Sequence, residues 1–170
     1  MVHATDAHVP DIVRLVGELR AQEDLPPTVS AETVRAYIAE PQTEVLVAVA
    51  SRPTDGREDA TSAGLGAGLV VGLVVGPVVG PVVGLLTLRV LGDLFHDGTS
   101  ALVQELIVDA AWRRRGIGGA LLDAAIERAD ELGCAEVGVS TGIENPDAQA
   151  LYRSRGFEAD CLWFERHLER

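Results

Sequence analysis

The segment Arg113-Arg114-Arg115-Gly116-Ile117-Gly118-Gly119-Ala120-Leu121-Leu122 joins a predicted strand to a predicted helix. The apolar run Leu106-Ile107-Val108 precedes it and is typical of a buried strand. Apolar residues then recur at helical spacing, at Ile117, Leu121, Ala124, Ala125 and Leu132. We therefore predict the order strand, glycine-rich loop, helix.

This loop has the properties of an anion-binding turn. Glycines at positions 116, 118 and 119 lack the Cβ atoms that would keep a ligand away from the backbone. The first helical turn leaves N–H groups without intrahelical acceptors, and these carry roughly half a positive charge. A phosphate group is therefore a suitable ligand for the turn.

Two common phosphate-binding patterns do not match the loop. The Walker pattern requires a lysine, and the chain contains none. The dinucleotide fingerprint requires Gly-x-Gly-x-x-Gly after the first strand, whereas this chain has Gly116-x-Gly118-Gly119 two thirds of the way along. The missing lysine therefore excludes the Walker pattern, and the glycine spacing excludes the dinucleotide fingerprint.

The Arg-x-x-Gly-x-Gly pattern of Arg113 to Gly118 resembles the acyl-CoA loop of the GNAT superfamily of N-acetyltransferases. A short glycine motif is by itself also compatible with a plain tight connection. A second segment, Asn145-Pro146-Asp147-Ala148-Gln149-Ala150-Leu151-Tyr152-Arg153-Ser154-Arg155-Gly156-Phe157, is similar to the superfamily's Asn-x-x-Ala-x-x-Leu-Tyr-x-x-x-Gly-Phe pattern. With two motifs in the right order and spacing, the chain is identified as a member of this superfamily.

The predicted elements agree with the fold that the resemblance implies, an α/β fold with a mixed, mostly antiparallel central sheet flanked by helices on both faces. The sequence predicts a short first strand at Val2 to Ala4 and a helix that follows Pro10. Ser30 is predicted to cap a second helix. Further strands are predicted at 44–50, 82–91, 101–108 and 136–140, with a helix around Tyr152 and a last strand pair from 156 to about 167.

The segment from Ala60 to Leu88 has no charged residue and repeats a Val-Val-Gly unit. It is long enough to cross a membrane, but glycine in every fourth position and two prolines weaken a helix there, so a membrane span is disfavoured. We expect one N-acetyltransferase domain over residues 1–170, with a low-complexity Val/Gly/Pro insertion at about 56–80. The insertion is expected to be mobile or to bind a partner, and its last copy to continue into the next strand.

Composition narrows the class of partner. The chain has 14 basic and 26 acidic residues, a net charge of −12, so a nucleic-acid partner is not expected. This charge suits a cationic amine acceptor, on a small molecule or a peptide, and equally suits a surface that only maintains solubility. The two cysteines and four histidines show no metal-ligand spacing, and no signal peptide is recognised, so we expect no metal and a cytoplasmic protein. The sequence does not decide whether the protein forms a homodimer.

Acetyl transfer to an amine requires a base, because an alkylammonium with a pKa of about 10.4 must lose a proton before it attacks. Glu105, directly before the strand at Leu106, is the candidate, although a solvated carboxylate at a strand edge is equally compatible with its position. The resemblance implies that Tyr152 is the acid that protonates the departing thiolate, with a packed core aromatic as the alternative role.

The resemblance also implies an acetyl-CoA site as cosubstrate site. In it, the strand at Leu106, Ile107 and Val108 separates from its neighbour, and the N–H and C=O groups of Ile107 and Val108 hold the pantetheine arm. The pyrophosphate lies against the loop from Arg113 to Ala120, and Asn145 caps the second motif's helix near the cosubstrate. A catalytically idle acyl-CoA-binding module, whose Val-Val-Gly segment contacts a partner or a membrane, is the alternative function.

Overall fold

The computed structural model describes residues 3–22, 25–50, 69–70, 80–159, 163–164 and 166. They form a five-stranded sheet in the order β2-β1-β3-β4-β5. The strands are β1 (Thr43–Ala50), β2 (Leu69–Val70), β3 (Val82–Asp93), β4 (Gly98–Val108) and β5 (Val137–Val139). Three neighbouring pairs are antiparallel, and β5 alone runs parallel to its neighbour β4. The prediction of a mixed, mostly antiparallel sheet is confirmed.

A long hairpin of β3 and β4 forms the centre of this sheet. Its register is regular from the turn as far as the pair Leu88 and Val103, and it shifts where Thr87 pairs with Glu105. Gln104 is therefore an extra residue in β4 and forms a β-bulge. The predicted strand at 101–108 contained no such irregularity. Because a bulge changes the alternation of side chains, it decides which face of the sheet Glu105 occupies.

In the described residues, four α-helices cover the two faces of the sheet. They are α1 (Val9–Gln22), α2 (Ala31–Ile38), α3 (Ile117–Glu131) and α4 (Pro146–Arg153). Ser30 accepts a hydrogen bond from the Thr33 N–H at 3.0 Å, so the predicted cap of α2 is confirmed. Short 3₁₀ turns at Asp6–His8 and Ala110–Trp112 precede α1 and follow β4.

The alternating side chains of β1 divide the core into two clusters. Val45, Val47 and Val49 pack with α1 and α2 on one face. Leu46 and Ala48, together with Ala50, pack with α3 on the other face. Helices on both faces of the sheet, as predicted, follow from this period of two in a strand that is buried on both sides.

The chain ends differ from the predictions. Of the predicted first strand, His3 makes a single antiparallel bridge to Leu46, and Val2 lies outside the described residues. The predicted last strand pair is absent from the part of the chain that is described there, because residues 157–159, 163–164 and 166 adopt no strand. The other residues of that pair lie outside the described ranges.

Most of the predicted insertion at 56–80 lies outside the described residues. Within it, Leu69 and Val70 pair with Ala50 and Val49 at the edge of the sheet. Val82, Val83 and Gly84, from the last Val-Val-Gly copy, begin β3, so the predicted continuation of this copy into a strand is confirmed. In the described ranges, no helix combines the length and apolar character needed to cross a membrane.

Candidate functional site

The sheet opens between β4 and β5. Their parallel pairing covers only Ala101 to Val103 of β4, opposite Val137 to Val139. β4 continues to Val108 without a described strand on that side, while its other side remains paired with β3 as far as Gly84. The separation of strands that the family resemblance implied is therefore present, and it leaves backbone pairing groups of β4 free for a ligand.

The alternation of the backbone identifies these groups. The Asp109 N–H donates to the Val83 carbonyl at 3.0 Å, so the N–H and C=O groups of Ile107, two residues earlier, also point to β3. Those of Leu106 and Val108 point to the open side. The expectation that Ile107 offers its backbone there does not fit this register, and its side chain is buried against α1 and α2.

The glycine-rich loop ends at the start of α3, as predicted. Gly116 is the N-cap residue with φ of 80°, a left-handed conformation that glycine adopts without strain. The Ala120 N–H already donates to the Gly116 carbonyl at 3.0 Å, so it belongs to the helix and not to an anion site. The N–H groups of Ile117, Gly118 and Gly119 precede this first helical bond and have no acceptor within the helix, which is the arrangement that suits an anion.

The two inner glycines have different neighbours. A Cβ on Gly118 would lie 3.5 Å from Leu151 Cδ2, an ordinary contact. A Cβ on Gly119 would overlap the guanidinium of Arg155, so an added side chain would displace that group. Gly119 therefore leaves room for Arg155 beside the turn, where Arg155 Nε also donates to Asp123 at 2.9 Å.

Arg155 is a functional candidate that the sequence analysis did not select. It stands in the second motif, three residues after Tyr152, and it places a positive charge beside the first turn of α3. Its ion pair with Asp123 holds it there. The sequence could not have selected Arg155, because nothing local to Arg155 indicates which glycine it contacts.

The three loop arginines are exposed and are held in different ways. Arg113 Nε donates to the Val108 carbonyl at 3.0 Å, so that carbonyl of the open side is engaged. Arg115 donates to the Ala111 carbonyl at 3.2 Å and stacks on Trp112. Arg114 lies 3.8 Å from Asp147 in a fully solvated pair. The result is a locally basic loop on an acidic chain, which attracts phosphate groups.

The second motif forms α4. The Asn145 side chain accepts from the Ala148 N–H at 3.1 Å, and Pro146 occupies the first turn, so the predicted cap is confirmed. Tyr152 is partly buried against the α3 side of the sheet, with its ring 6.0 Å from that of Phe157. Its hydroxyl makes no hydrogen bond to any side chain or backbone group in the described ranges, so it is available to a ligand.

The bulge in β4 brings two consecutive side chains to Tyr37 of α2. The Tyr37 hydroxyl donates to Gln104 Oε1 at 2.7 Å, and the Tyr37 hydroxyl oxygen also lies 3.5 Å from Glu105 Oε2. The Thr87 hydroxyl donates to Glu105 Oε2 and accepts from the Glu105 N–H. These bonds fix the carboxylate of Glu105 at the edge of the apolar α1/α2 face.

Glu105 and Tyr152 therefore occupy opposite faces of the sheet. Glu105 borders a cavity beneath α1 and α2, whereas Tyr152 packs on the face covered by α3. A group bound in the opening between β4 and β5 would meet both faces. This arrangement brings the two predicted catalytic residues to one site only if the ligand passes through the sheet.

Both tyrosines of the chain are expected to ionise at a higher pH than tyrosine in an unfolded chain. Burial raises the pKa of Tyr37, with a further contribution from the negative charge of Glu105, and burial raises the pKa of Tyr152. Tyrosines in the unfolded chain have a pKa of about 10, so above that pH the folded protein still holds phenolic protons that the unfolded chain has lost. The stability of the fold therefore falls as the pH rises above that value. Ultraviolet titration of the phenolates in Tyr37→Phe and Tyr152→Phe checks each group separately. Ionisation at the same pH as in the denatured chain would contradict the burial of that hydroxyl.

A separate cluster lies at the hairpin turn between β3 and β4. Potential metal-ligand atoms of Asp93, His96 and Glu136 lie within 4.8 Å of one another. Asp93 also accepts hydrogen bonds from the Phe95 and His96 N–H groups, so its carboxylate stabilises the turn. The imidazole of His96 donates a hydrogen bond to the Asp93 carboxylate, and this bond raises the pKa of His96. The cluster is exposed and distant from the glycine loop, and it is a turn cap with an ion pair.

Comparison with known proteins assigns most of the chain to one family. The acetyltransferase (GNAT) family matches residues 34–157, which include β1, both halves of the central hairpin, the glycine loop and α4. A stretch of 58 residues is 43% identical to an uncharacterized N-acetyltransferase of Methanocaldococcus jannaschii, covering 34% of this chain and 26% of that protein. This chain thus matches only about a quarter of that relative's length.

Several solved structures share the fold. A putative acetyltransferase from Agrobacterium tumefaciens superposes with a TM-score of 0.70 at 20% identity, over 98% of both chains. A transcriptional regulator from Bacillus halodurans gives 0.73 at 22% identity, over 98% of this chain and 97% of that one. An aminoglycoside acetyltransferase from a soil metagenomic sample gives 0.70 at 20% identity, over 99% and 95%. The match to residues 34–157, on a chain that folds as these acetyltransferases do, shows that this protein belongs to the GNAT family of acetyltransferases.

Proposed function

We propose that the protein transfers an acetyl group from acetyl-CoA to a primary amine, by direct attack of the amine within a ternary complex. The observation that carries this proposal is the opening beside Leu106 and Val108, which adjoins the anion-binding turn of α3. An extended arm with a phosphate at one end fits this combination, because the strand edge offers pairing groups and the turn offers N–H donors.

The residues around the opening supply each part of an acetyl-CoA site. The N–H groups of Ile117, Gly118 and Gly119 would receive the pyrophosphate, with the charges of Arg113 to Arg115 close by. The open N–H groups of Leu106 and Val108 would bind the pantetheine arm. Asn145 caps the N-terminus of α4 and would lie beside the cosubstrate.

The chemistry then follows from groups on the two faces. Glu105 would accept the ammonium proton, directly or through a water, and the amine nitrogen would bond to the thioester carbon. A backbone N–H of β4 would stabilise the negative oxygen, an interaction that is worth about 3–4 kcal/mol. The carbon–sulfur bond then breaks, and the departing thiolate takes the proton of the Tyr152 hydroxyl. The extra proton on the new amide nitrogen leaves to water, from which the Tyr152 phenolate is reprotonated.

We also propose that residues 1–170 form a single N-acetyltransferase domain with the Val/Gly/Pro segment as an insertion. This is supported by the described helices, which all pack on one sheet, and by the position of the segment between β1 and β3. The cytoplasm remains the expected location.

Calorimetric titration with acetyl-CoA tests the proposed function. We expect one cosubstrate to bind per chain, and Gly118→Asp to weaken binding more than about tenfold, because it adds a negative charge at the phosphate turn. Unit charges about 4 Å apart near a protein surface interact by about 4 kcal/mol. Gly92→Asp is the matched control, since a side chain there meets nothing within 4 Å and lies at the far end of β3.

Failure of the folded wild type to bind acetyl-CoA would contradict the proposal. Binding without turnover on any amine would favour the idle acyl-CoA-binding module instead. Equal binding by the Gly118 and Gly92 variants would remove the α3 turn from the site.

Replacement of Tyr152 by Phe tests the proposed acid. We expect kcat to fall by roughly tenfold to a hundredfold. This effect is smaller than that of most general acids, because a thiolate is already a good leaving group. The Kd for acetyl-CoA and the melting temperature should change little, since the hydroxyl has no described protein partner. Wild-type turnover by this variant would leave Tyr152 with a packing role alone.

A further inference from the structure

We infer that the acceptor is a primary monoamine with a compact apolar body, which lies beneath α1 and α2 with its ammonium group at Glu105. This inference rests on the proposed function, because it assigns the acceptor of the same site. It comes from a cavity between the two N-terminal helices and the sheet, which the sequence analysis did not foresee.

The cavity has an apolar interior and one polar end. Its volume is about 160 Å³. The walls include Ile12 and Val16 of α1, Val34 of α2 and Leu85 of β3, and the polar end holds Tyr37, Thr87 and Glu105. The Glu105 carboxylate is fixed at this end by Thr87, so the cavity presents one negative charge at a defined place.

The charge of the lining limits the number of ammonium groups on the acceptor. Glu105 is the only carboxylate among the residues that line the cavity as described. A second ammonium inside these walls would be desolvated without a partner, and burial of an unpaired charge is strongly unfavourable. The aminoglycoside or polyamine class of acceptor therefore does not fit this cavity, whereas a monoamine does.

The size of the cavity limits the apolar body. An apolar cavity of about 150 Å³ in another protein is sufficient for benzene. A space of about 160 Å³ therefore accommodates a single ring or a chain of similar volume, with the ammonium group directed to Glu105. Burial of each further CH₂ group favours binding, so an acceptor that fills the cavity is favoured over a short amine such as ethylamine.

Steady-state assays of CoA release, with acetyl-CoA as donor, compare acceptors directly. We expect kcat/KM to be highest for 2-phenylethylamine and hexylamine, at least about tenfold lower for ethylamine, and lower still for spermidine and kanamycin. A higher kcat/KM for spermidine or kanamycin than for every apolar monoamine would overturn the inference while the acetyl-transfer function stands.

A variant that fills the cavity tests its location. Val16→Phe extends a side chain into the space and should raise the KM for 2-phenylethylamine about tenfold or more, with the KM for acetyl-CoA unchanged. Val13→Phe is the matched control, because Val13 packs on the same cluster without lining the cavity. An unchanged amine KM in the Val16 variant would place the acceptor elsewhere.

Binding of the amine without acetyl-CoA separates the two possible failures. In the wild type, 2-phenylethylamine should raise the melting temperature, and 2-phenylethanol, which lacks the ammonium group, should raise it less. This measurement does not depend on turnover or on folding of a variant. If acetyl-CoA does not bind but the amine does, the proposed function fails and the cavity assignment stands. If neither aromatic compound changes the melting temperature, the cavity assignment is wrong.

Discussion

Replacement of Glu105 by Gln is expected to lower kcat for amine acetylation by about 10²–10⁴-fold at neutral pH, the usual contribution of a positioned general base. Gln keeps the size of the side chain and can still accept from the Thr87 hydroxyl, so the geometry at the bulge should persist. What is lost is the proton acceptor. Because the change leaves the α3 turn untouched, the Kd for acetyl-CoA should equal that of the wild type.

The pH dependence distinguishes a base from a positioning group. As the pH approaches the amine pKa of about 10.4, more of the acceptor is already neutral, and the ratio of wild-type to variant kcat should shrink. Glu136→Gln removes the same charge at an exposed position beside the other end of β4 and should have wild-type kinetics. A ratio that stays constant with pH would indicate that Glu105 positions the acceptor and takes no proton.

Replacement of Leu121 by Ala is expected to destabilise the protein by about 2–5 kcal/mol, the usual range for a buried leucine. Leu121 is 1% exposed on α3 and packs against the central strand β3. The loss is large compared with a typical domain stability of about 5–15 kcal/mol. Urea denaturation followed by circular dichroism measures it, and a loss below about 1 kcal/mol would contradict the packing of α3 on this face.

Gly84 offers a second variant at the same contact. A Cβ added there would lie 3.0 Å from Leu121 Cδ1 and 3.0 Å from Ile117 Cγ2, tighter than an ordinary contact. Gly84→Ala alone should therefore cost about 1 kcal/mol. In combination with Leu121→Ala the new methyl group enters the vacated space, so the double variant should be more stable than the sum of the two losses predicts. Strict additivity would show that the two residues do not share this space.

The Gly84 contact places the last Val-Val-Gly copy in the sheet. Its valines enter the two core clusters, Val82 on the α1 face and Val83 on the α3 face, and its glycine lies under α3. The local sequence of the repeat does not indicate this contact, because it forms with side chains of α3, far along the chain.

The amino-acid sequence by itself determined the strand, glycine loop and helix order and the caps at Ser30 and Asn145. These features depend on neighbours within a few residues, through glycine conformations, capping side chains and the period of apolar residues. Only the tertiary structure decided the bulge at Gln104, which backbone groups of β4 face the opening beside β5, and the place of Arg155 beside Gly119. Each of these features depends on contacts between segments far apart in the chain, such as the contact of β4 with Tyr37 of α2. The local sequence is compatible with several arrangements at each place, and the packing of the whole sheet selects one of them.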